Sequence, residues 1–344
     1  MNKAILDLYT DFLIVNQGLA AATILSKSLE GSISHDKISR FLREEDLSSK
    51  ELWGAVKATI RQIEEENGAI IFDDCIDEKP YTDENEIVCW HFNHAKQRMV
   101  KGINILTGLI AYSSAILPII YEVIRKEDKV QERTKNELMR DMLEQCQRMH
   151  IKYSWVLADV WYSSQENMEF IFKHLKKHFI FGLKSNRLIS LSKEEKSQGI
   201  FRPISSLEKE NLPLVGYLKG MDFPVKVIKR VFKNEDGSTG ILYLATSDVS
   251  LNEDRILKIY QKRWKIEEYH KSLKSNLGIE KSPTRIERTQ KNHIFAALMA
   301  FFKLESLKIK SHLNHFALKY KLIVSANIAA MKELKLMKEQ FNFA

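Results

Sequence analysis

The chain has 344 residues, 44% of them hydrophobic, enough to bury a sizeable core and, by length, to form about two domains. Lys and Arg number 53 against 45 Asp and Glu, a formal charge of +8 that favours a polyanionic partner. Cys75, Cys89 and Cys146 are scattered without a C-x-x-C pair, which argues against a disulfide framework or a cysteine zinc site and for a reducing, cytoplasmic home.

Residues 1–66 read as a helical domain. Asp7 and Asp11 interrupt the N-terminus before a signal-like apolar core can form, so no secretion signal is expected. A helix ahead of Gly31, then a second one capped by Ser34 and carrying His35, Lys37, Arg40 and Arg43, outlines a helix-turn-helix whose second helix can enter a major groove. Two amphipathic helices joined by a glycine turn are the plainer alternative. After Glu64, Glu65 and Glu66 and a turn at Asn67 and Gly68, residues 69–72 predict a buried strand that delivers Asp73 and Asp74 at its end. His91 and His94 suggest a metal site, but no further ligand cluster follows them, and a surface loop or substrate-facing patch is the better reading.

The charge-free run 102–121 is long enough for a membrane span. Gly108, Ser113, Ser114 and Pro118 divide it, however, and two adjacent buried strands with a turn at residues 112–115 account for it better. A charged helix from about Glu132 to His150 follows. Residues 155–158 repeat the first pattern, a short apolar strand ending in Asp159, with Ser163 or Ser164 capping a helix over 165–178 and then a buried strand over 178–183. From 185 to 250 the runs LVGYL, VKVIKRVF and ILYLAT are separated by turn signals, among them Asn211, Leu212 and Pro213, then Asp236 and Gly237. They read as a β-rich block between helical regions. Beyond Gly278 and Pro283, an apolar helix from His293 and a tail helix over 325–343 are expected.

Residues 251–277 lack Gly and Pro and predict one long helix. At about 100° per residue, Tyr260, Glu267 and Lys274 are two turns apart and Arg263 lies within about 60° of their line. The four make a polar stripe beside an apolar one of Ile259, Ile266, Leu273 and Leu277; a plain amphipathic helix with solvated charges gives the same pattern. If the two aspartate-ended strands are sheet neighbours and this helix packs over their ends, three carboxylates converge. Unpaired, they raise one another's pKa, and divalent cations remove that penalty. Mg²⁺ prefers oxygen ligands, and two such ions about 4 Å apart activate an attacking oxygen and stabilise a leaving one in phosphoryl displacement. Lys274 and Arg263 then suit the phosphate, and Tyr260 the backbone or a bound water.

At this point the chain resembles bacterial insertion-sequence transposases with a DDE triad and the Y-R-E-K signature. IIFDDCIDEKP resembles the first-aspartate motif, VLADVWYSS the second and YQKRWKIEEYHKSLK the signature, in that order. The resemblance implies an α/β fold similar to ribonuclease H, a mixed sheet flanked by helices with a β-rich insertion before the catalytic glutamate. The expected organisation is 1–66 a helical domain with a helix-turn-helix for DNA binding, 67–184 the first part of the catalytic core, 185–250 the insertion, and 251–344 the glutamate helix with C-terminal helices. It implies Asp73, Asp159 and Glu267 as the catalytic and metal-binding triad, with Tyr260, Arg263 and Lys274 as DNA-binding accessories. It further implies Mg²⁺, with Mn²⁺ substituting, and double-stranded DNA as partner at element ends and target. A homodimer on DNA, no membrane partner and a cytoplasmic location complete the expectation. Cys75 stands where the family usually has Thr or Ser, a departure that replaces a hydroxyl with a thiol, and Asp74 competes with Asp73 as first ligand. Trp161 and Trp264 are expected in the core, with stacking on an extruded base as the alternative. A non-catalytic DNA-binding regulator and a nuclease of the same fold without strand transfer are the rival readings.

Overall fold

The computed structural model describes residues 2–93, 96–126, 133–207, 213–233 and 237–340. The expectations for His94, Glu132, Asn211, Leu212, Asp236 and the last residues of the tail lie outside them. Eleven strands run along the described residues: β1 Ala69–Glu78, β2 Cys89–Asn93, β3 Arg98–Ala111, β4 Ile116–Val123, β5 Trp155–Ala158, β6 His178–Leu183, β7 Leu188–Ser190, β8 Arg202–Pro203, β9 Leu214–Leu218, β10 Val225–Lys233 and β11 Thr239–Thr246. The chain divides into two units, Met1–Val56 with Ile76–Asn104 and Glu268–Ala344, and Lys57–Cys75 with Ile105–Glu267.

The second unit holds a mixed sheet in the order β4-β3-β1-β5-β6-β11-β10-β9-β7-β8. Its centre is parallel, with Ile71 of β1 opposite Leu157 of β5, and Leu157 opposite Ile180 of β6. Helices cover parallel strands on both faces, so these strands carry unbroken apolar runs: Ala69 to Phe72 and Val156 to Ala158 are buried throughout. The charge-free run forms the antiparallel pair β3 and β4, and its turn is closed where Tyr112 N donates to Ala115 O at 2.9 Å. Gly108 is required there, because a Cβ would sit 2.7 Å from Ile120 and 3.0 Å from the Phe72 ring. No helix among the described residues is long and apolar enough to cross a membrane. Helix Lys135–Arg148 opens on a reciprocal capping box between Thr134 and Glu137. Ser164, not Ser163, caps the helix after β5; that helix runs as Gln165–Glu169 and loosens into a π turn at Phe170–His174. From β7 to β11 the chain is built of antiparallel pairs, the longest being β10 with β11 from Lys226↔Thr246 to Lys233↔Thr239. This is the ribonuclease H-like arrangement with a β-rich insertion.

The expected long helix over 251–277 is not continuous. Helix Glu253–Tyr260 passes into a 3₁₀ turn at Gln261–Arg263 and resumes as helix Trp264–Ser275, with Gly278 in the left-handed region at φ 60° beyond its end. Three residues at about 120° instead of about 100° rotate everything after the turn by roughly 60° relative to Tyr260.

In the first unit, helices Lys3–Val15, Ala22–Ser28 and His35–Glu44 lie N-terminal, and helices Glu287–Ser311 and His315–Gln340 lie C-terminal. Buried Asn292 ties the two ends of the chain together: its amide donates to Leu42 O and Glu45 O at 2.8 and 2.7 Å, and its oxygen accepts from Leu47 N. Ser34 accepts from Lys37 N as an N-cap, and Glu30 and Gly31 take positive φ in the preceding turn. Ile38, Phe41 and Leu42 are buried, while His35, Lys37, Arg40 and Arg43 face outward on the same helix.

Candidate active site

The parallel register aligns the two aspartates. Ile71 is opposite Leu157, so Asp73 and Asp159 each stand two residues beyond the last parallel pair; Asp159 follows the end of β5, whereas β1, expected to stop at residue 72, carries Asp73 within it and runs on to Glu78. Open α/β sheets bind ligands at the carboxyl ends of their parallel strands.

Asp73 and Asp74 have different surroundings. Asp74 is neutralised: Lys135 Nζ lies 2.8 and 2.9 Å from its two oxygens, and the Tyr162 hydroxyl donates to Oδ1 at 2.7 Å. Asp73 accepts one hydrogen bond, from Asp74 N at 2.9 Å. Burial, followed by the negative charges of Asp159 and Asp74, pushes its carboxyl up to about 7, against which Arg263 acts only weakly. The Asp159 carboxyl is also raised, first by burial, with Trp161 N (2.8 Å) and Arg263 opposing the shift. Among the described residues neither Asp73 nor Asp159 has an ion-pair partner within 4 Å, so the sheet edge carries uncompensated negative charge.

Arg263 and Glu267 face each other one turn apart. Arg263 Nη2 lies 2.8 Å from Glu267 Oε1, and the guanidinium is mostly buried while the carboxylate is about half exposed. The guanidinium carbon sits 5.6 Å from the Tyr260 ring centre, and burial pushes the Tyr260 phenol up to about 12. Arg263 Nε is buried with no hydrogen-bond acceptor among the described residues. In a chain whose buried donors are normally satisfied, such an atom marks room for an acceptor. Lys274 belongs to the other unit, where it pairs with Glu280 at 2.8 Å and donates to Ile76 O at 3.2 Å. Glu268 is exposed.

The expected carboxylates are therefore only partly brought together. Asp73 and Asp159 act on each other electrostatically, while Glu267 is held by Arg263. Among the described residues no three His, Cys, Asp or Glu side chains stand close enough to form a metal cage. The donors present still fit a hard divalent cation: Mg²⁺ takes one or two carboxylates and completes its shell with water and phosphate oxygens. Trp161 and Trp264 are not core residues, being 48% and 60% exposed. Trp161 lies under the Lys135 ammonium, 5.2 Å from its ring centre. Cys75 is half-buried. Sequence reasoning missed Lys135 and Tyr162, the two groups that neutralise Asp74. Tyr162 lies three residues after Asp159 inside a motif already singled out, but nothing local marks Lys135.

Comparison with known families agrees with this geometry. A search of curated proteins found no match. A family described as a transposase DDE domain matches residues 123–302, which contain Asp159 and Glu267, and one described as a DDE superfamily endonuclease matches residues 2–196, which contain Asp73 and Asp159. Each covers more than half of the 344 residues. A parallel strand pair carrying Asp73 within β1 and Asp159 just past β5 in a ribonuclease H-like sheet, under two overlapping matches, places this chain in the DDE transposase family of DNA-cutting enzymes.

Proposed function

We propose that this enzyme is an insertion-sequence transposase of the Y-R-E-K type. It cuts phosphodiester bonds at the ends of its element and joins the freed 3′-hydroxyl to target DNA. The observation that carries the reading is the uncompensated Asp73 and Asp159 pair at the sheet edge with the buried Arg263 guanidinium beside it. Asp73, rather than the neutralised Asp74, is the first ligand, and Asp73 and Asp159 hold Mg²⁺, for which Mn²⁺ substitutes. Bound there, the divalent cations supply charge neutralisation at the attacking and leaving oxygens of an in-line displacement.

The side chains have separate tasks. Arg263 donates to an oxygen of the scissile phosphate and in doing so exchanges its Glu267 partner for the substrate. The released Glu267 carboxylate becomes the third member of the acidic set. Tyr260, held against Arg263, orients that guanidinium, and Lys274 contacts the DNA backbone. The helix His35–Glu44 offers His35, Lys37, Arg40 and Arg43 to the element end within an N-terminal domain of residues 1–66. Residues 67–184 and 251–344 form the catalytic core around the 185–250 insertion. Synapsis of two ends requires at least a dimer on DNA, working in the cytoplasm.

The decisive variant is Glu267→Gln. It should retain DNA binding and lose Mg²⁺-dependent nicking of a supercoiled plasmid carrying the element ends; nicking at the parent rate would overturn the assignment. A paired-end substrate then separates the chemistries: joined products support strand transfer, and nicking without them leaves a nuclease of the same fold. If Asp159→Asn and the parent protect the ends equally and neither cuts, the chain is a DNA-binding regulator.

A further inference from the structure

A cleft of about 660 Å³ opens against Val160 and Trp161, the two residues that follow Asp159, entirely within the second unit. One wall is Trp161, two residues past Asp159 in the 3₁₀ turn that follows β5. Val160, Ser163, Ser164 and Gln165 continue that wall, and facing residues are Lys184 directly after β6, Arg187 directly before β7, and Lys219 with Gly220 directly after β9.

The cleft is built rigidly. Arg187 N donates to Lys184 O at 3.0 Å and Lys219 N to Leu188 O at 2.9 Å, so backbone bonds fix the backbone positions from which the three cationic side chains extend. Gln165 Nε2 donates to Gly220 O at 2.7 Å and clamps the β9 turn against the helix Gln165–Glu169. Gly220 has φ 90°, and a Cβ there would lie 2.0 Å from Gln165 Oε1, so only glycine permits the clamp.

Its cations are not paired off within ion-pair distance among the described residues. Lys184 and Lys219 are exposed, and among the described residues neither they nor Arg187 has a carboxylate within ion-pair distance. Arg187 is half-buried, its Nε has no hydrogen-bond acceptor among the described residues, and Glu166 is the one acid whose charge reaches it. Three cations lining one cleft, one of them a guanidinium with an unsatisfied nitrogen, select a phosphate, which guanidinium groups grip by two parallel hydrogen bonds. The Trp161 face, nearly half exposed, selects a flat or apolar group attached to it. A space of this size is that of a small-ligand site and holds one nucleotide.

We infer that this cleft receives a nucleotide adjoining the scissile bond on the cut strand, Arg187, Lys184 and Lys219 holding its phosphate and Trp161 lying against its sugar and base. The inference rests on the DNA-cutting reading, and its test separates the two. Binding of the full chain to a fluorescent duplex containing an element end would be measured across a salt series in chelator, for the parent, Arg187→Gln/Lys219→Gln and Asp73→Asn. Each lost phosphate contact lowers the slope of log K against log salt by about 0.9, so the double variant should lose between about 1 and 2 and bind at least tenfold more weakly at low salt. The Asp73→Asn slope should equal that of the parent. Since Arg187 is half-buried, Lys184→Gln/Lys219→Gln, both on exposed side chains, provides a second variant with the same expected direction. Parental slopes in both double variants overturn the inference, whatever happens to nicking. Parental nicking by Asp73→Asn overturns the catalytic reading and leaves the cleft to be judged by its slopes.

Discussion

Asp73→Asn should stabilise the metal-free protein, and more so in alkali than in acid. The buried Asp73 carboxyl titrates near 7 instead of its ordinary 3.8, so the folded chain holds that proton more tightly than the unfolded chain. Its contribution to stability is intact below about pH 4 and is lost as pH rises toward 7, where the folded state must carry a charge it solvates poorly. At 1.36 kcal/mol per pH unit across that window, the loss approaches about 4 kcal/mol, an upper figure because Asp159 and Asp74 share the repulsion. Asparagine never ionises, and its oxygen can still accept from Asp74 N. Urea midpoints in chelator should be nearly equal for parent and variant at about pH 4 and should separate by roughly 2 to 4 kcal/mol at about pH 8 in favour of the variant. Millimolar Mg²⁺ should narrow the gap by stabilising the parent alone. A gap that does not change with pH, or a variant less stable than the parent at pH 8, would refute the picture of an uncompensated carboxylate.

Two further outcomes follow from the same neighbourhood. Lys135→Ala takes the ammonium away from Asp74 while the Tyr162 hydroxyl stays on it, and should cost about 2 kcal/mol in urea while shifting the acidic limb of the nicking profile to higher pH, because Asp74 then repels Asp73 more fully. An unchanged pH profile would mean that Lys135 does not govern the charge at Asp73. Gly220→Ala should cost between about 1 and 3 kcal/mol through its positive φ and the clash with Gln165, and Gln165→Ala in the same chain should return only the part due to the clash. Full recovery in the double variant would show that φ carries no cost there.

The parts of this molecule that sequence could reveal are those set by local rules. Buried parallel strands must be apolar along their whole length, so residues 69–72 and 155–158 announced themselves, and a polar residue ending such a run stands at the sheet edge where ligands bind. The turn at 112–115, the Ser34 cap and Gly278 beyond its helix are decided within a few residues of chain, and each lies where the sequence puts it. The 3₁₀ turn at Gln261–Arg263 is different. No Gly or Pro marks it, and periodicity counted straight through it carries a phase error of roughly 60° into everything that follows.

That phase error bears on the site itself. An unbroken helix would carry Tyr260, Glu267 and Lys274 as one stripe, whereas the turn sets Glu267 and Lys274 together apart from the phase of Tyr260, while Arg263 and Glu267 pair as helical neighbours four residues apart. Which of two neighbouring aspartates remains free is equally invisible locally, because Lys135, 61 residues from Asp74, decides it. The pairings explain one another. Asp74 has a lysine and a tyrosine, Glu267 has an arginine, and the acids left unpaired are Asp73 and Asp159 on adjacent parallel strands. A phosphate that competes for Arg263 would release a third carboxylate at the moment the substrate arrives, which couples assembly of the acidic set to the presence of DNA.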